Sequence, residues 1–253
     1  MATTQVHSGR IRCLHAPSDA TDIPTGPVVY WMSREIRSRD NWALLHAQNL
    51  ALQGKQPLVV VYNLAVGYLG GALRQHVFKV GGLRVVAKNL HDKGIPFRVD
   101  YSEDFPKALG KIASKLGSSH VVTDFTPLRL NRKWEEAFVK EAKKLSIKFE
   151  QVDAHNVVPC WVASDKLEYA ARTIRPRLWR NWDTYCTEFP ICKCTRMKLL
   201  SDEQLLVGLD RSVEPVTWLM PGEDAALDHL SKFINNMKGY SESRNDPTKN
   251  AIS

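Results

Sequence analysis

The residues best suited to chemistry lie in the second half of the chain. His155 stands two positions after Asp153 at the end of an apolar run, where an imidazole beside a carboxylate could act as a general base. Spacing places no nucleophile beside it, and a strand-end histidine also serves as a hydrogen-bonded structural residue. Cys192 and Cys194 are one residue apart, whereas zinc knuckles and redox pairs need two residues between their cysteines. Metal binding is therefore not expected. Cys160, between Pro159 and Trp161, is expected to be a small buried hydrophobe. Gly67, Gly70 and Gly71 follow an apolar run but lack the G-x-G-x-x-G spacing of a dinucleotide loop, and no P-loop is present. They read as loop and helix-start glycines.

From Lys166 to Lys198 there are 8 basic and 3 acidic residues, with Trp179, Trp182 and Tyr185 interleaved. Arginine mixed with aromatics is the chemistry of phosphate neutralisation and base stacking. The same text fits a solvated surface with its rings turned inward. Arg172, Arg175 and Arg177 around Pro176 also fit structural forks to carboxylates. The whole chain carries 35 basic against 27 acidic residues, a net charge of +8, which favours anionic partners, nucleic acid first.

These residues need a scaffold. Val28–Met32, Leu58–Tyr62, Phe97–Val99, His120–Thr123 and Ile147–Val152 read as five short apolar strands. Between them lie helical patterns: Asn41 to Gln53 with Asp40 as cap and Gly54 as stop, Ala72 to Lys93, a segment around Leu109, Ile112 and Leu116, and one around Trp134, Phe138 and Ala142. Gly81 and Gly82 fall inside the second of these, so either a close packing contact needs them or the helix breaks there. Strands alternating with helices imply a Rossmann-like parallel α/β sheet covered on both faces. Ligands of such sheets sit at the carboxyl ends of the strands, here Met32–Arg34, Asn63, Thr123–Phe125 and Asp153–Asn156. A last helix is expected over Glu223–Lys238. The expected organisation is a polar arm over residues 1–26, the α/β domain over 27–156, a connector over 157–222 and the start of a helical domain over 223–253.

A length of 253 residues with 43% apolar composition excludes a wholly disordered chain. Five cysteines exclude a disulfide-stapled scaffold, and no apolar run approaches a membrane span. The odd cysteine count without a signal-peptide pattern points to a reducing intracellular compartment, cytoplasm or nucleus. Arg10 and Arg12, with no acid before Asp19, leave a weak organellar transit peptide as the competing reading.

Long ordered strings point one way. Gly26–Arg34 with Asp40–Leu45, then Leu73-Arg74-Gln75, Val122–Arg129, Val152–Ser164, Glu168–Pro176 and Arg244–Asn250 resemble the class II cyclobutane pyrimidine dimer photolyases in order. The resemblance implies a Rossmann-like domain joined through a connector to a helical half that holds FAD. It implies light-driven, FAD-dependent repair of pyrimidine dimers in UV-damaged DNA by the complete family member. It matches Tyr240 to a family tyrosine at the flavin site and Ser253 to the first serine of a flavin-site segment. It also implies a possible deazaflavin antenna in the α/β domain. Because the family pattern continues past Ser253, the 253 residues alone are expected to hold no stable FAD and to be inactive. The alternative is a non-catalytic α/β module acting as an interaction or structural subunit of a larger complex.

Overall fold

Runs of β-branched residues build the centre of the molecule. The computed structural model describes residues 5–18, 26–65, 68–192, 214–235, 237–244 and 246. In chain order the elements are β1 (Ile11–His15), β2 (Val28–Met32), α1 (Trp42–Gly54), β3 (Leu58–Asn63), α2 (Leu73–Asp92), β4 (Phe97–Asp100), α3 (Phe105–Lys115), β5 (His120–Asp124), α4 (Arg129–Lys144), β6 (Lys148–Val152), α5 (Cys160–Ala163), α6 (Ala171–Tyr185), α7 (Glu223–Asn235) and α8 (Tyr240–Ser243). The sheet runs β1-β6-β5-β2-β3-β4, with β2 to β6 parallel.

Side chains alternate across the sheet with period two. On one face Val28, Tyr30, Met32, Val60 and Tyr62 pack with Leu44 and Ala47 of α1 and Leu83 and Val86 of α2. On the other, Val29, Trp31 and Val61 pack with Phe105 and Leu109 of α3 and Phe138 of α4. Both faces are covered, which is why β2 and β3 are apolar without interruption.

Two expectations need correction. The sheet has a sixth strand, drawn from the segment read as a polar arm. β1 lies antiparallel on β6, with Ile11 opposite Val152 and Cys13 opposite Glu150. An edge strand need bury little, and β1 leaves Arg12 and Cys13 exposed, so its sequence carries no apolar run. The cap of α1 is Asn41, not Asp40: its side chain accepts from the amides of Ala43 (3.0 Å) and Leu44 (3.1 Å). Asp40 instead takes a left-handed turn at φ 49°.

Arg10, just before β1, is buried at 2% exposure. Its guanidinium donates to the carbonyls of Asp153 (3.3 Å), Asn156 (2.9 Å), Val157 (2.7 Å) and Tyr185 (2.9 Å). The rings of Trp42 and Tyr185 lie 4.8 and 5.2 Å from it. One side chain thus joins the N-terminal segment, the loop after β6 and the end of α6.

α2 runs unbroken through Gly81 and Gly82, and close packing explains the first of them. A Cβ at Gly81 would lie 2.3 Å from Cγ of Pro221, just before α7. Glu223, the first residue of α7, is buried and accepts from the Ser38 amide (2.8 Å), the Ser38 hydroxyl (2.6 Å), the Arg39 amide (3.1 Å) and the Asn89 side chain. Gly81→Ala should therefore destabilise by about 1–3 kcal/mol through overpacking, against a gain of about 1 kcal/mol in helix propensity. Urea unfolding of the variant checks the sign. α7 ends at Asn235, short of the expected Lys238. No helix among the described residues is long and apolar enough to cross a membrane.

Candidate functional site

The carboxyl ends of β2, β3 and β5 open onto a cleft of about 300 Å³. Its walls include Trp31, Tyr62, Tyr68 and Trp134, the polar side chains of Ser33, Asn63, Thr126 and Asn131, and the cations Arg34 and Lys79. Among the described residues no acidic or histidine side chain lines it. Tyr68 and Trp134 give the cleft aromatic walls beside six polar or charged side chains, whereas Trp31 and Tyr62 are almost wholly buried on opposite faces of the sheet.

Asp124, the last residue of β5, shapes the cleft from behind. Its carboxylate accepts from the backbone amides of Ser33 (3.0 Å), Arg34 (2.8 Å) and Glu35 (3.3 Å), and from the Tyr30 hydroxyl (2.7 Å). The chain leaving β2 is folded over one buried acid. Burial pushes the Asp124 carboxyl up, and the hydrogen bonds from Arg34, Ser33 and Tyr30 pull it back. Asn41 continues the brace, donating to the Tyr30 hydroxyl (3.1 Å) and to the carbonyls of Glu35 (3.2 Å) and Arg37 (3.1 Å). On the far wall Asn131 of α4 donates to the Ser33 hydroxyl (3.1 Å) and accepts from the Tyr68 hydroxyl.

Lys79 reaches the cleft from α2. Its ammonium lies 5.2 Å from the centre of the Tyr68 ring. Burial lowers its pKa, and among the described residues it has no ion-pair partner. Arg34 lies 4.0 Å from Glu35, whose carboxylate is also held by Arg37 and His155.

One turn of α4 beyond Asn131, Glu135 is buried near Gln151 and Asp124. Burial pushes its carboxyl up to about 8, the nearby Asp124 adds to the rise, and a hydrogen bond with Gln151 opposes it. In the unfolded chain the group ionises near its ordinary value of 4.5. The folded state therefore keeps a proton that the unfolded state loses, and stability falls as pH rises through that window. Glu135→Gln should remove the dependence, gaining roughly 2–4 kcal/mol over the native chain by about pH 8 and little at about pH 4. Thermal melts across that range read it directly.

The other sequence candidates fall elsewhere. His155 is half-exposed and its Nδ1 lies 2.9 Å from Glu35, while Asp153 accepts from the amides of His155 (3.2 Å), Asn156 (3.0 Å) and Cys160 (2.9 Å). Asp153 is thus a turn clasp, and the pair is built as structure. Cys160 is exposed, not buried, because α5 turns its first residue outward. Cys192 packs beside Gln48 (3.3 Å); Cys194 and Gly67 lie outside the described residues. No group of three or more His, Cys, Asp or Glu among the described residues could hold a metal ion.

The basic stretch forms α6, with Arg172, Arg175, Trp179, Arg180 and Trp182 exposed and Ile174 and Leu178 packed inward. Arg177 makes an ion pair with Glu168 at 3.1 Å, one structural fork of the kind the sequence offered, while Trp179 and Trp182 are exposed and not turned inward. Tyr240 lies on the four-residue α8, its ring 5.1 Å from Phe233. Ser253 lies outside the described residues. Among the described residues, one half-exposed tyrosine against a phenylalanine does not by itself make a flavin cradle.

Residues 28–194 match the DNA photolyase family model. The chain belongs to the DNA photolyase family. It is 40% identical to the deoxyribodipyrimidine photo-lyase of Arabidopsis thaliana, over 98% of this chain and 53% of the relative. Identity to the deoxyribodipyrimidine photo-lyase of Potorous tridactylus is also 40%, over 89% of this chain and 44% of the relative. A class III photolyase structure from Agrobacterium tumefaciens shares the fold with a TM-score of 0.62 at 20% identity, covering 93% of this chain and 50% of that one. The chain spans about half the length of the curated relatives it matches. Its α/β body followed by helices is the N-terminal architecture of this photolyase fold.

Proposed function

We propose that the chain is the α/β half of a class II cyclobutane pyrimidine dimer photolyase, and that its strand-end cleft holds a planar light-harvesting chromophore, a deazaflavin being the reference ligand. The complete protein would use FAD and light to split pyrimidine dimers in UV-damaged DNA. The observation that carries the reading is the ordered series of class II strings, which extends from the strand-end loop at Ser33 and Arg34 to the connector at Glu168–Pro176. The aromatic cleft, free of carboxylates, supports the chromophore part.

Since the described residues lack a flavin cradle, the 253-residue product by itself should purify without flavin absorbance and should leave dimer-containing oligonucleotides uncut under blue light. Added deazaflavin should bind and change its fluorescence. A yellow, repair-competent product would overturn the first expectation, and unchanged deazaflavin fluorescence the second.

A second reading, a non-catalytic module within a larger assembly, draws on one observation. α6 and α7 expose large apolar side chains, among them Trp179 (63%) and Ile234 (55%). Stable co-purification with other subunits, with no helical half in the same reading frame, would favour it.

A further inference from the structure

α6 is anchored on one side and loaded on another. Ile174, Leu178 and Tyr185 pack it with Val158 and Ala163, and the Tyr185 carbonyl is held by Arg10. At about 3.6 residues per turn, Arg172, Arg175, Trp179 and Trp182 share one solvent-facing stripe. Trp179 is 63% exposed, and its ring lies 5.3 Å from that of Trp182. Neither Arg172 nor Arg175 has an ion-pair partner among the described residues, and nearby Glu168 is taken by Arg177 and Ser164. The exposed ionic side chains of the helix are Arg172, Arg175 and Arg180 against Asp183, so the surface is net positive. An apolar protein partner would cover the indoles at the cost of desolvating unpaired guanidiniums. A chain of phosphates carrying flat rings satisfies both.

We propose that this stripe of α6 binds single-stranded nucleic acid without reading its sequence. Arg172 and Arg175 take backbone phosphates, and unpaired bases stack on Trp179 and Trp182. Paired bases keep their faces inside the duplex, so the indoles favour a single strand. The contact needs no flavin, no light, no pyrimidine dimer and no ligand in the strand-end cleft, and it stands independently of the reading above. It also differs from the row of exposed lysines on α3, Lys107, Lys111 and Lys115, which offers charge with no ring beside it.

The test uses the 253-residue chain in the dark and a labelled, undamaged oligothymidine of about 20 nucleotides, longer than one site of this kind. Fluorescence anisotropy should show the single strand bound about tenfold or more tightly than a duplex of the same length. Trp179→Ala should weaken it by about tenfold, the scale of one stacked base, and Trp179→Phe by less. Arg172→Gln and Arg175→Gln together should flatten the slope of log affinity against log salt by about 1.4, two single-strand phosphates at about 0.7 each. Neutralising Lys107, Lys111 and Lys115 together as glutamines should leave the preference for the single strand in place. All these positions are exposed, and melting curves of the variants should stay near the native one. Equal binding of duplex and single strand, full affinity in a folded Trp179→Ala protein, or loss of binding in the lysine variant would each overturn the assignment. So would a chain that ignores the oligonucleotide but forms a dimer that Trp179→Ala dissolves, since the stripe would then be a protein contact.

Discussion

Arg10→Ala is expected to lower the unfolding free energy by about 3–5 kcal/mol, enough to consume much of a typical domain's stability. The variant removes the donor from four carbonyls, those of Asp153 and Tyr185 in buried positions and those of Asn156 and Val157 in partly buried ones. Each unmet acceptor carries a desolvation penalty. The Trp42 and Tyr185 rings also lose the cation packed between them. Arg10→Lys should recover little, because a single ammonium cannot span acceptors that the planar guanidinium reaches from two nitrogens. Urea unfolding of the two variants measures both effects. A loss below about 1 kcal/mol for the alanine variant, the range of ordinary surface changes, would show that water replaces the guanidinium at no cost.

Asp124→Asn should cost about 2–4 kcal/mol and, more tellingly, should abolish ligand binding in the strand-end cleft. Both carboxylate oxygens accept from backbone amides, Oδ1 from Arg34 and Oδ2 from Ser33 and Glu35. An asparagine must point its amide group at one of those donors, so a repulsive contact replaces an attractive one whichever way it turns. The loop from Ser33 to Glu35 would then leave its position, and Ser33 and Arg34 line the cleft. Asp124 is a positioning residue, so the variant should lose deazaflavin binding at temperatures where its circular dichroism remains native. Retained affinity in a folded Asp124→Asn protein would refute the assignment.

The parallel core was legible because a strand buried on both faces must be apolar at every position, and Val28–Met32 and Leu58–Tyr62 obey that rule without exception. β1 escaped the same reading because an edge strand needs only one partner. Arg12, over the face of Trp161, and Cys13 stay exposed, so nothing in Ile11–His15 distinguishes it from a loop. Asp40 and Asn41 are both good caps by composition. The choice between them was made by tertiary contacts, since only Asn41 can also reach the Tyr30 hydroxyl. The glycine pair of α2 was noticed for its helix cost, yet its partner Pro221 lies about 140 positions away and could not be named from sequence.

The site was legible in location and not in content. Strand ends pointed to Met32–Arg34, Asn63 and Thr123–Phe125, and the cleft opens there. Lys79 gave no signal: it is one of two lysines on α2, and only the fold shows that it is partly buried with no ion-pair partner among the described residues. His155 and Asp153 gave a signal that the fold spends on a turn. Arg10 looked like part of a basic leader and is instead among the most deeply buried side chains.

The antiparallel pairing of β1 with β6 also sets a schedule. On the ribosome Arg10 is made before its acceptors, the first of which lies 143 residues further along the chain and the last 175. At translation rates of about 5–20 residues per second, the leading segment waits roughly 10–30 s for its partners to be synthesised. A segment synthesised ahead of all its partners is therefore among the last to find its place.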